Sequence, residues 1–244
     1  SSTGTANVSQ EINSLTVSAG GKVTITTAED TILKNVYLES TSALKLDPIV
    51  ATDVIDLYCL EGIYAADKSN QVLLEADKVV LWSLFGNLGT ASQALILNAN
   101  LFRALGGYMY LENRKDLVVD MVISTDDLYL TVKGNLSGQP GEYEVLNGLY
   151  GGGINLQVSG DIGQEWMELS VSPESYLNVT AQNLYMRADG NVLVGTIRTD
   201  GKGNLEVACA DGWVAIHELQ VAGKRRMTTR DLLLGFRNIE DYTM

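Results

Sequence analysis

Short runs in which apolar and polar residues alternate dominate the chain, and they restrict its fold more than any other feature. In "SLTVSAGGKVTITTA", Leu15, Val17, Val23 and Ile25 recur at every second position, so each run would present one apolar face. Similar runs of about five to eight residues follow, separated by Gly, Asn, Asp, Ser and Thr, as expected for strands and turns. Only 3 prolines interrupt the chain. The pattern predicts an all-β protein.

An internal repeat distinguishes between the possible β architectures. The segment from Gly86 to Val122 aligns with the segment from Gly160 to Ile197 after a single-residue insertion. Units of short strands that cannot cover their own apolar face bury it by stacking on one another. The repeat therefore predicts a β-solenoid, similar to a right-handed β-helix, over residues 1–200. A β-sandwich is the alternative.

The alignment also predicts which side chains occupy equivalent places. Gly86-Asn-Leu-Gly89 matches Gly160-Asp-Ile-Gly163, and Leu117 matches Val192. If the copies stack as turns of one solenoid, Leu117 and Val192 should both point inward at matching corners.

Residues 201–244 are predicted to form a strand-plus-helix unit that caps the solenoid. Thr228 can cap a helix over residues 228–237, with Asp231 at the capping-box spacing. The apolar face of this helix would consist of Leu232, Leu233 and Phe236. A terminal turn without such a cover exposes apolar core and unpaired backbone groups, so we expect the helix to lie over it.

Charge is distributed unevenly along the chain. The formal net charge is −13, yet residues 221–244 carry five Lys/Arg and three Asp/Glu. The acidic remainder would repel a polyanion, so nucleic acid is not an expected partner. The three adjacent basic residues Lys224, Arg225 and Arg226 are interpreted as a solvated turn. Any contact with a polyanion would use Lys224, Arg225, Arg226 and Arg230.

Few side chains could support metal binding or cofactor chemistry. His217 is the single histidine, and alternation places it opposite Val214 and Ile216, on the surface. Cys59 and Cys209 lack metal-site spacing and are predicted to be buried free thiols, although a disulfide between them is an alternative. We expect no metal and no cofactor.

Carboxylates are the remaining candidates for catalysis, because glycoside-cleaving enzymes use paired acids. The candidates near the least regular part of the chain are Asp120, Asp126, Asp127 and Glu144. Acids at such places more often form turns or solvated edges, so we expect no enzymatic activity. A carbohydrate-active β-helix enzyme is the alternative.

The repeat style of "GDIG" and "LYMRADGNVLVGTI" resembles the β-helical exoproteins of the filamentous haemagglutinin type. The resemblance covers Leu15 to Ile197 and rests on no catalytic motif. It implies an extracellular or cell-surface shaft or adhesin.

The stretch "GTIRTDGKGNLEVACADGWVAIHELQVAGKRRMTTRDLLLGFR", residues 195–237, resembles the end of the carboxy-terminal domain of methionyl-tRNA formyltransferases. The matching phrases are a Gly-Thr-Ile start, "ELQ", "GKR" and a final "LLGFR". The resemblance implies an OB-like fragment that helps to hold tRNA, with Lys224, Arg225 and Arg226 as phosphate contacts. Two unrelated family patterns in one short chain are also what a designed sequence would show, and this is an alternative explanation of the two resemblances.

These observations favour a structural or adhesive extracellular protein without catalytic activity. Its partners would be other protein subunits or surface glycans, with no insertion into membranes. A tRNA-binding or other nucleic-acid-binding module that uses the C-terminal tail is the alternative function.

Overall fold

The computed structural model describes most of the first 198 residues and four short strands beyond them. The described ranges are 11–18, 21–25, 31–139, 148–164, 168–188, 192–198, 205–209, 212–216, 218–219 and 227–228. Over these ranges the secondary structure consists of strands and turns, without a helix. Accordingly, no helix long and apolar enough to cross a membrane occurs in the described residues.

The chain forms its strands in short runs, as the period-two pattern predicts. In chain order they are β1 (Glu11–Ser18), β2 (Gly21–Val23), β3 (Ile32–Ser40), β4 (Leu44–Leu46), β5 (Ile49–Val50), β6 (Val54–Cys59), β7 (Gly62–Ala65), β8 (Leu74–Ser83), β9 (Asn87–Leu88), β10 (Leu95–Gly106), β11 (Met109–Asn113), β12 (Leu117–Ser124), β13 (Leu128–Val132), β14 (Leu136–Gly138), β15 (Gly148–Val158), β16 (Leu169–Thr180), β17 (Met186–Ala188), β18 (Val194–Arg198), β19 (Leu205–Cys209), β20 (Gly212–Ile216), β21 (Glu218–Leu219) and β22 (Met227–Thr228).

Strands β1 to β18 form one 18-stranded sheet that coils into a β-solenoid of about 8 turns. One side of the coil is the parallel series β1, β3, β6, β8, β10 and β12, continued by the first half of β15, the first half of β16 and β17. Another side is the parallel series β2, β4, β7, β9, β11 and β13, continued by the second half of β15, the second half of β16 and β18. The predicted β-solenoid is confirmed, and the β-sandwich alternative is wrong.

The core is a set of apolar rows that run along the solenoid. In one row, Val36, Ile55, Val79, Phe102 and Val119 are register partners on five successive strands. Each has 0% of its surface exposed. Burial of one such side chain contributes about 1.5–3 kcal/mol, so the stacked rows supply the main driving force for folding. Apolar residues at every second position of a strand are thus aligned with those of the neighbouring strands in continuous rows.

The two repeat copies form corners with the same local geometry. Gly89 and Gly163 have positive φ angles of 73° and 66°. A Cβ at Gly89 would meet the carbonyl oxygen of Tyr110, and a Cβ at Gly163 would meet that of Tyr185. The alignment of residues 86–122 with residues 160–197 also pairs Tyr110 with Tyr185, so the repeat is confirmed in its backbone contacts. The strand register places the two corners on different sides of the coil, because Leu88 lies in line with Met109 and Ile162 lies in line with Leu136 and Leu117.

Strand register gives a second confirmation of the repeat. Phe102 pairs with Val119 and Leu177 pairs with Val194, and a register shift directly follows each pair. The predicted inward positions also hold: Leu117 is 1% exposed, and the partly buried Val192 packs against the core.

One inward corner position is polar instead of apolar. Asn113 is fully buried, and its Oδ1 accepts the Ala99 N–H at 2.9 Å. Its Nδ2 donates to the Ala99 carbonyl at 3.1 Å and to the Lys115 carbonyl at 2.9 Å. The amide therefore replaces backbone partners at a corner where the ladder is interrupted, which avoids the cost of burying unsatisfied groups.

The predicted C-terminal helix lies almost wholly outside the described residues. Thr228, its proposed capping residue, is the last residue of strand β22. Leu232, Leu233 and Phe236 are outside the described part of the chain. The division into a body over 1–200 and a cap over 201–244 stays a prediction.

We expect Gly163→Ala to lower the thermal unfolding midpoint clearly. The new Cβ would lie 2.1 Å from the Tyr185 carbonyl oxygen, in a left-handed conformation that costs an L-residue about 1–2 kcal/mol on its own. Gly138→Ala is the matched control, because its nearest contact is 3.7 Å away, and it should leave the midpoint nearly unchanged. Equal midpoints for the two variants would contradict the assigned corner geometry.

We expect Asn113→Leu to reduce the free energy of unfolding by about 2 kcal/mol or more, because the Ala99 N–H and carbonyl would both lose a buried partner. Asn100→Leu is the control: Asn100 is exposed and donates only to Asp77 among the described contacts. Urea unfolding of the two variants measures the difference. A smaller loss for Asn113→Leu than for Asn100→Leu would show that the corner does not depend on this amide.

Candidate functional site

The pairing of the strands changes from parallel to antiparallel after the solenoid. Strand β19 pairs antiparallel with β20, from Leu205 opposite Ile216 to Cys209 opposite Gly212. Strand β19 also contacts β17 of the last turns of the solenoid. The C-terminal strands therefore follow the solenoid directly, with hairpin-like pairing in place of stacking.

A second antiparallel pair flanks the basic residues of the tail. Glu218 lies opposite Thr228, and Leu219 lies opposite Met227. The segment that joins these two strands contains Lys224, Arg225 and Arg226. These three residues, together with Arg230 and His217, lie outside the described residues.

The described acidic candidates take part in local contacts. Asp120 accepts from the guanidinium of Arg103, with 2.9 Å between Nε and Oδ2, and its side chain is 13% exposed. The Asp126 backbone carbonyl accepts the Gly152 N–H at 2.7 Å. Glu144 lies outside the described residues. Among the described residues, no group of three or more His, Cys, Asp or Glu side chains is placed to hold a metal ion.

Asp127 belongs to a hydrogen-bonded network that spans three strands. Its Oδ1 accepts the Gly153 N–H at 2.7 Å, and its Oδ2 accepts the Tyr176 hydroxyl at 3.0 Å and the Tyr129 hydroxyl at 3.4 Å. The Asn155 amide donates to the Tyr176 hydroxyl at 3.3 Å. The carboxylate is thus occupied by structural donors and ties β13, β15 and β16 together.

Sequence reasoning missed this network, although the pattern contains a signal for it. Tyr110 and Tyr129 are register partners on β11 and β13, and their rings stack at 4.9 Å. Tyr129 is in turn paired with Asn155, and Asn155 with Asn178. Aligning the strands by turn, rather than by the longer repeat, would have placed these outward side chains in one row.

The network changes the acidity of one tyrosine. The hydrogen bond with Tyr176 is the main cause that raises the pKa of Tyr129, followed by burial and by the charges that Tyr176 and Asp127 carry when ionised. A raised pKa in the folded state means that this contribution to stability is complete below the ordinary pKa of tyrosine and is lost as the pH rises further.

Cys59 is a buried free thiol, as the sequence predicts. Cys59 forms no disulfide within the described residues. Cys209 is the last residue of β19, and its side chain is outside the described part of the structure.

Comparison with known protein families assigns the C-terminal segment. Residues 169–237 match the family described as "Formyl transferase, C-terminal domain". The match begins at the first residue of β16 and so includes the last strands of the solenoid as well as β19 to β22. The resemblance predicted for residues 195–237 is confirmed, and it extends further toward the N-terminus than the sequence indicated.

Curated relatives of parts of this chain share one name. One is "Methionyl-tRNA formyltransferase" of Parabacteroides distasonis, 46% identical over 57 residues, which are 23% of this chain and 18% of the relative. Others are the proteins of that name from Bacteroides thetaiotaomicron, 41% identical over 83 residues (32% and 25%), and Pelobacter propionicus, 42% identical over 64 residues (25% and 20%). The chain thus spans a quarter or less of these relatives. No solved structure matches significantly.

These matches correct several expectations from the sequence. The extracellular structural or adhesive role and the expected lack of enzymatic activity are contradicted, because the relatives are named as enzymes that act on methionyl-tRNA. The exclusion of nucleic acid as a partner is contradicted for the same reason. The expectation about nucleic acid rested on the acidic charge of the chain outside residues 221–244. The likeness to filamentous haemagglutinin is supported only as far as the β-solenoid.

We expect Tyr176→Phe to lower the pKa of Tyr129 toward the ordinary tyrosine value, because the main cause of its elevation is the Tyr176 hydroxyl. Phenolate absorbance during an alkaline titration measures this change. Tyr108→Phe is the control, because Tyr108 is 40% exposed and contacts the row only by stacking on Tyr110. An unchanged Tyr129 titration in Tyr176→Phe would show that the hydroxyl contact is absent in solution.

Proposed function

We propose that residues 169–237 bind tRNA within a protein related to the methionyl-tRNA formyltransferases. The observation that carries the proposal is the family match over these residues, supported by 46% identity over 57 residues to a protein with that name. In this proposal the phosphate contacts are Lys224, Arg225, Arg226 and Arg230.

The distribution of charge supports the use of the tail. The chain outside residues 221–244 is strongly acidic, whereas the tail has an excess of Lys and Arg. The acidic part of the chain repels RNA and the basic tail attracts it, so the charge distribution directs RNA toward the tail. Affinity that arises from phosphate contacts should fall steeply with added salt.

Formyl transfer is proposed for the protein as a whole and not for the matched residues. The match covers 25% of the Bacteroides thetaiotaomicron relative and 18% of the Parabacteroides distasonis relative. A segment of this size is suited to binding and orienting a large substrate, a role that raises catalytic efficiency without supplying a reacting group.

The role of the solenoid is a separate part of the proposal. We infer that it acts as a rigid support, because its stacked turns fix the last strands, from which the C-terminal strands follow. A closer relation to filamentous haemagglutinin stays an interpretation of the repeat style. The extracellular location also stays a prediction, and a tRNA-binding role would instead require access to tRNA inside a cell.

The test is binding of methionyl-tRNA by the parent protein and by a variant with Lys224, Arg225, Arg226 and Arg230 changed to Gln. We expect the parent to bind with salt-sensitive affinity and the variant to bind about tenfold or more weakly. The slope of log affinity against log salt should become shallower by about 3, at 0.7–0.9 for each lost phosphate contact.

The control variant replaces four cations of the solenoid, Lys34, Lys78, Lys115 and Lys133, with Gln. It has the same net charge as the tail variant, so equal losses in both would indicate a general charge effect and reject the tail as the binding surface. Absence of saturable binding by the parent at low salt would reject the proposed function. Thermal unfolding of both variants verifies that folding is intact.

A further inference from the structure

An open cavity of about 280 Å³ lies on the surface of the solenoid at strands β4 and β7. Three successive turns contribute to its wall: strand β4, then strand β7 with the segment that follows it, and then the turn after β9. The polar side chains that line it are Lys45, Tyr64, Lys68, Thr90, Ser92 and Gln93.

The cavity has a composition that differs from the rest of the protein. The chain has 30 Asp and Glu residues against 17 Lys and Arg, yet the cavity lining includes two lysines and no carboxylate. The nearby carboxylate of Asp47 is engaged by the Thr24 hydroxyl. Neither lysine forms an ion pair within the described residues. Two lysine side chains therefore line a space that has no carboxylate in its wall.

The position of Lys45 is set by the ladder. Lys45 and Tyr64 are register partners on β4 and β7, so they project from the same face of adjacent turns. The Tyr64 ring lies over Gly62, where an added Cβ would be 2.4 Å from the hydroxyl oxygen. Gly62 thus lets the ring lie flat against its own strand and form one side of the cavity.

The segment that carries Lys68 is held at several points. The Ala66 N–H donates to the Leu46 carbonyl at 2.8 Å, which continues the ladder. Farther along, the Gln93 amide donates to the Ser69 carbonyl at 3.1 Å, and Arg114 donates to the Asn70 carbonyl at 2.7 Å. Because these contacts come from the turn before this segment and from later turns, the backbone around Lys68 is fixed before any ligand binds.

Two hydroxyl groups complete the donor set. The Thr90 and Ser92 hydroxyl oxygens are 3.3 Å apart. Their turn is closed by two backbone hydrogen bonds between Thr90 and Gln93, at 2.9 and 3.0 Å. Hydroxyl groups can reorient their hydrogens toward an acceptor, so the turn can present two donors to the cavity.

We propose that this cavity binds a tetrahedral oxyanion of the phosphate class. Lys45 and Lys68 supply the opposite charge, while Thr90, Ser92 and Gln93 supply neutral donors for the remaining oxygens. Hydrogen bonds between charged groups of opposite sign are the strong ones, and a lysine serves as a point charge for phosphate. The site is independent of the tRNA contact proposed for the tail. Free phosphate and a phosphate of a nucleic-acid backbone share this chemistry.

The test is calorimetric titration of the protein with inorganic phosphate in low-salt buffer. We expect saturable binding by the parent and at least about tenfold weaker binding by the double variant Lys45→Gln, Lys68→Gln, since loss of one charge-assisted contact is enough for that factor. The charge-matched control is Lys115→Gln, Lys133→Gln, which should retain parental affinity. All four lysines are on the surface or only partly buried, so folding should be unaffected, and thermal unfolding verifies this.

A second arm distinguishes the source of the phosphate. If the ligand is a nucleic-acid phosphate, the Lys45, Lys68 variant should also lose affinity for tRNA, and if it is free phosphate, tRNA binding should be unchanged while phosphate binding is lost. Thr90→Val with Ser92→Ala should weaken phosphate binding in both cases. The proposal is overturned if the parent shows no saturable phosphate binding, or if the control variant loses as much affinity as the cavity variant. Neither result bears on the tail.

Discussion

Stacking of parallel strands in register is the constraint on which the rest of this structure depends. Each inner strand has its N–H and carbonyl groups paired with the turns before and after it, so a side chain on one turn must match its neighbours on both sides. Val36, Ile55 and Val79 meet this requirement with apolar volume. Asn113 meets it with hydrogen bonds to the backbone of Ala99. Departures from apolar rows are permitted only where such a partner is available.

Most of the fold was predictable, because a solenoid converts local pattern directly into three-dimensional contact. The period-two alternation identified the inward positions, and the repeat aligned Gly89 with Gly163 before any contact was known. The row that joins Tyr110, Tyr129 and Asn155 was missed, because outward positions have no apolar requirement and differ in chemistry from turn to turn. Their alignment depends on turn length, which varies and cannot be read from alternation alone.

The sequence predicted the family that the C-terminal segment resembles, but nucleic acid was not taken as its expected partner. The phrases around residues 218–227 identified the formyltransferase-like segment, and the match over residues 169–237 agrees. The acidic charge of the chain outside residues 221–244 then argued against nucleic acid, although the local excess of cations in the tail was visible in the sequence. The cavity near Lys45 and Lys68 was also invisible in the sequence. Its walls come from three turns, and only the register places those residues beside one another.

The register also fixes a distance along the molecule. Phe102 lies in line with Val119, whereas its aligned residue Leu177 lies in line with Ile154 and Leu128 on the other side of the coil. The chain returns to the side of Phe102 on β12, β15 and β16 and reaches Leu177 half a turn later, so the repeat copies are about three and a half turns apart. At about 4.8 Å for each turn, the axial spacing of the two copies is about 17 Å. A block of turns, and not a single turn, is thus the unit of length in this protein. Insertion of another such block would displace whatever follows the solenoid by the same increment and move it to the other side.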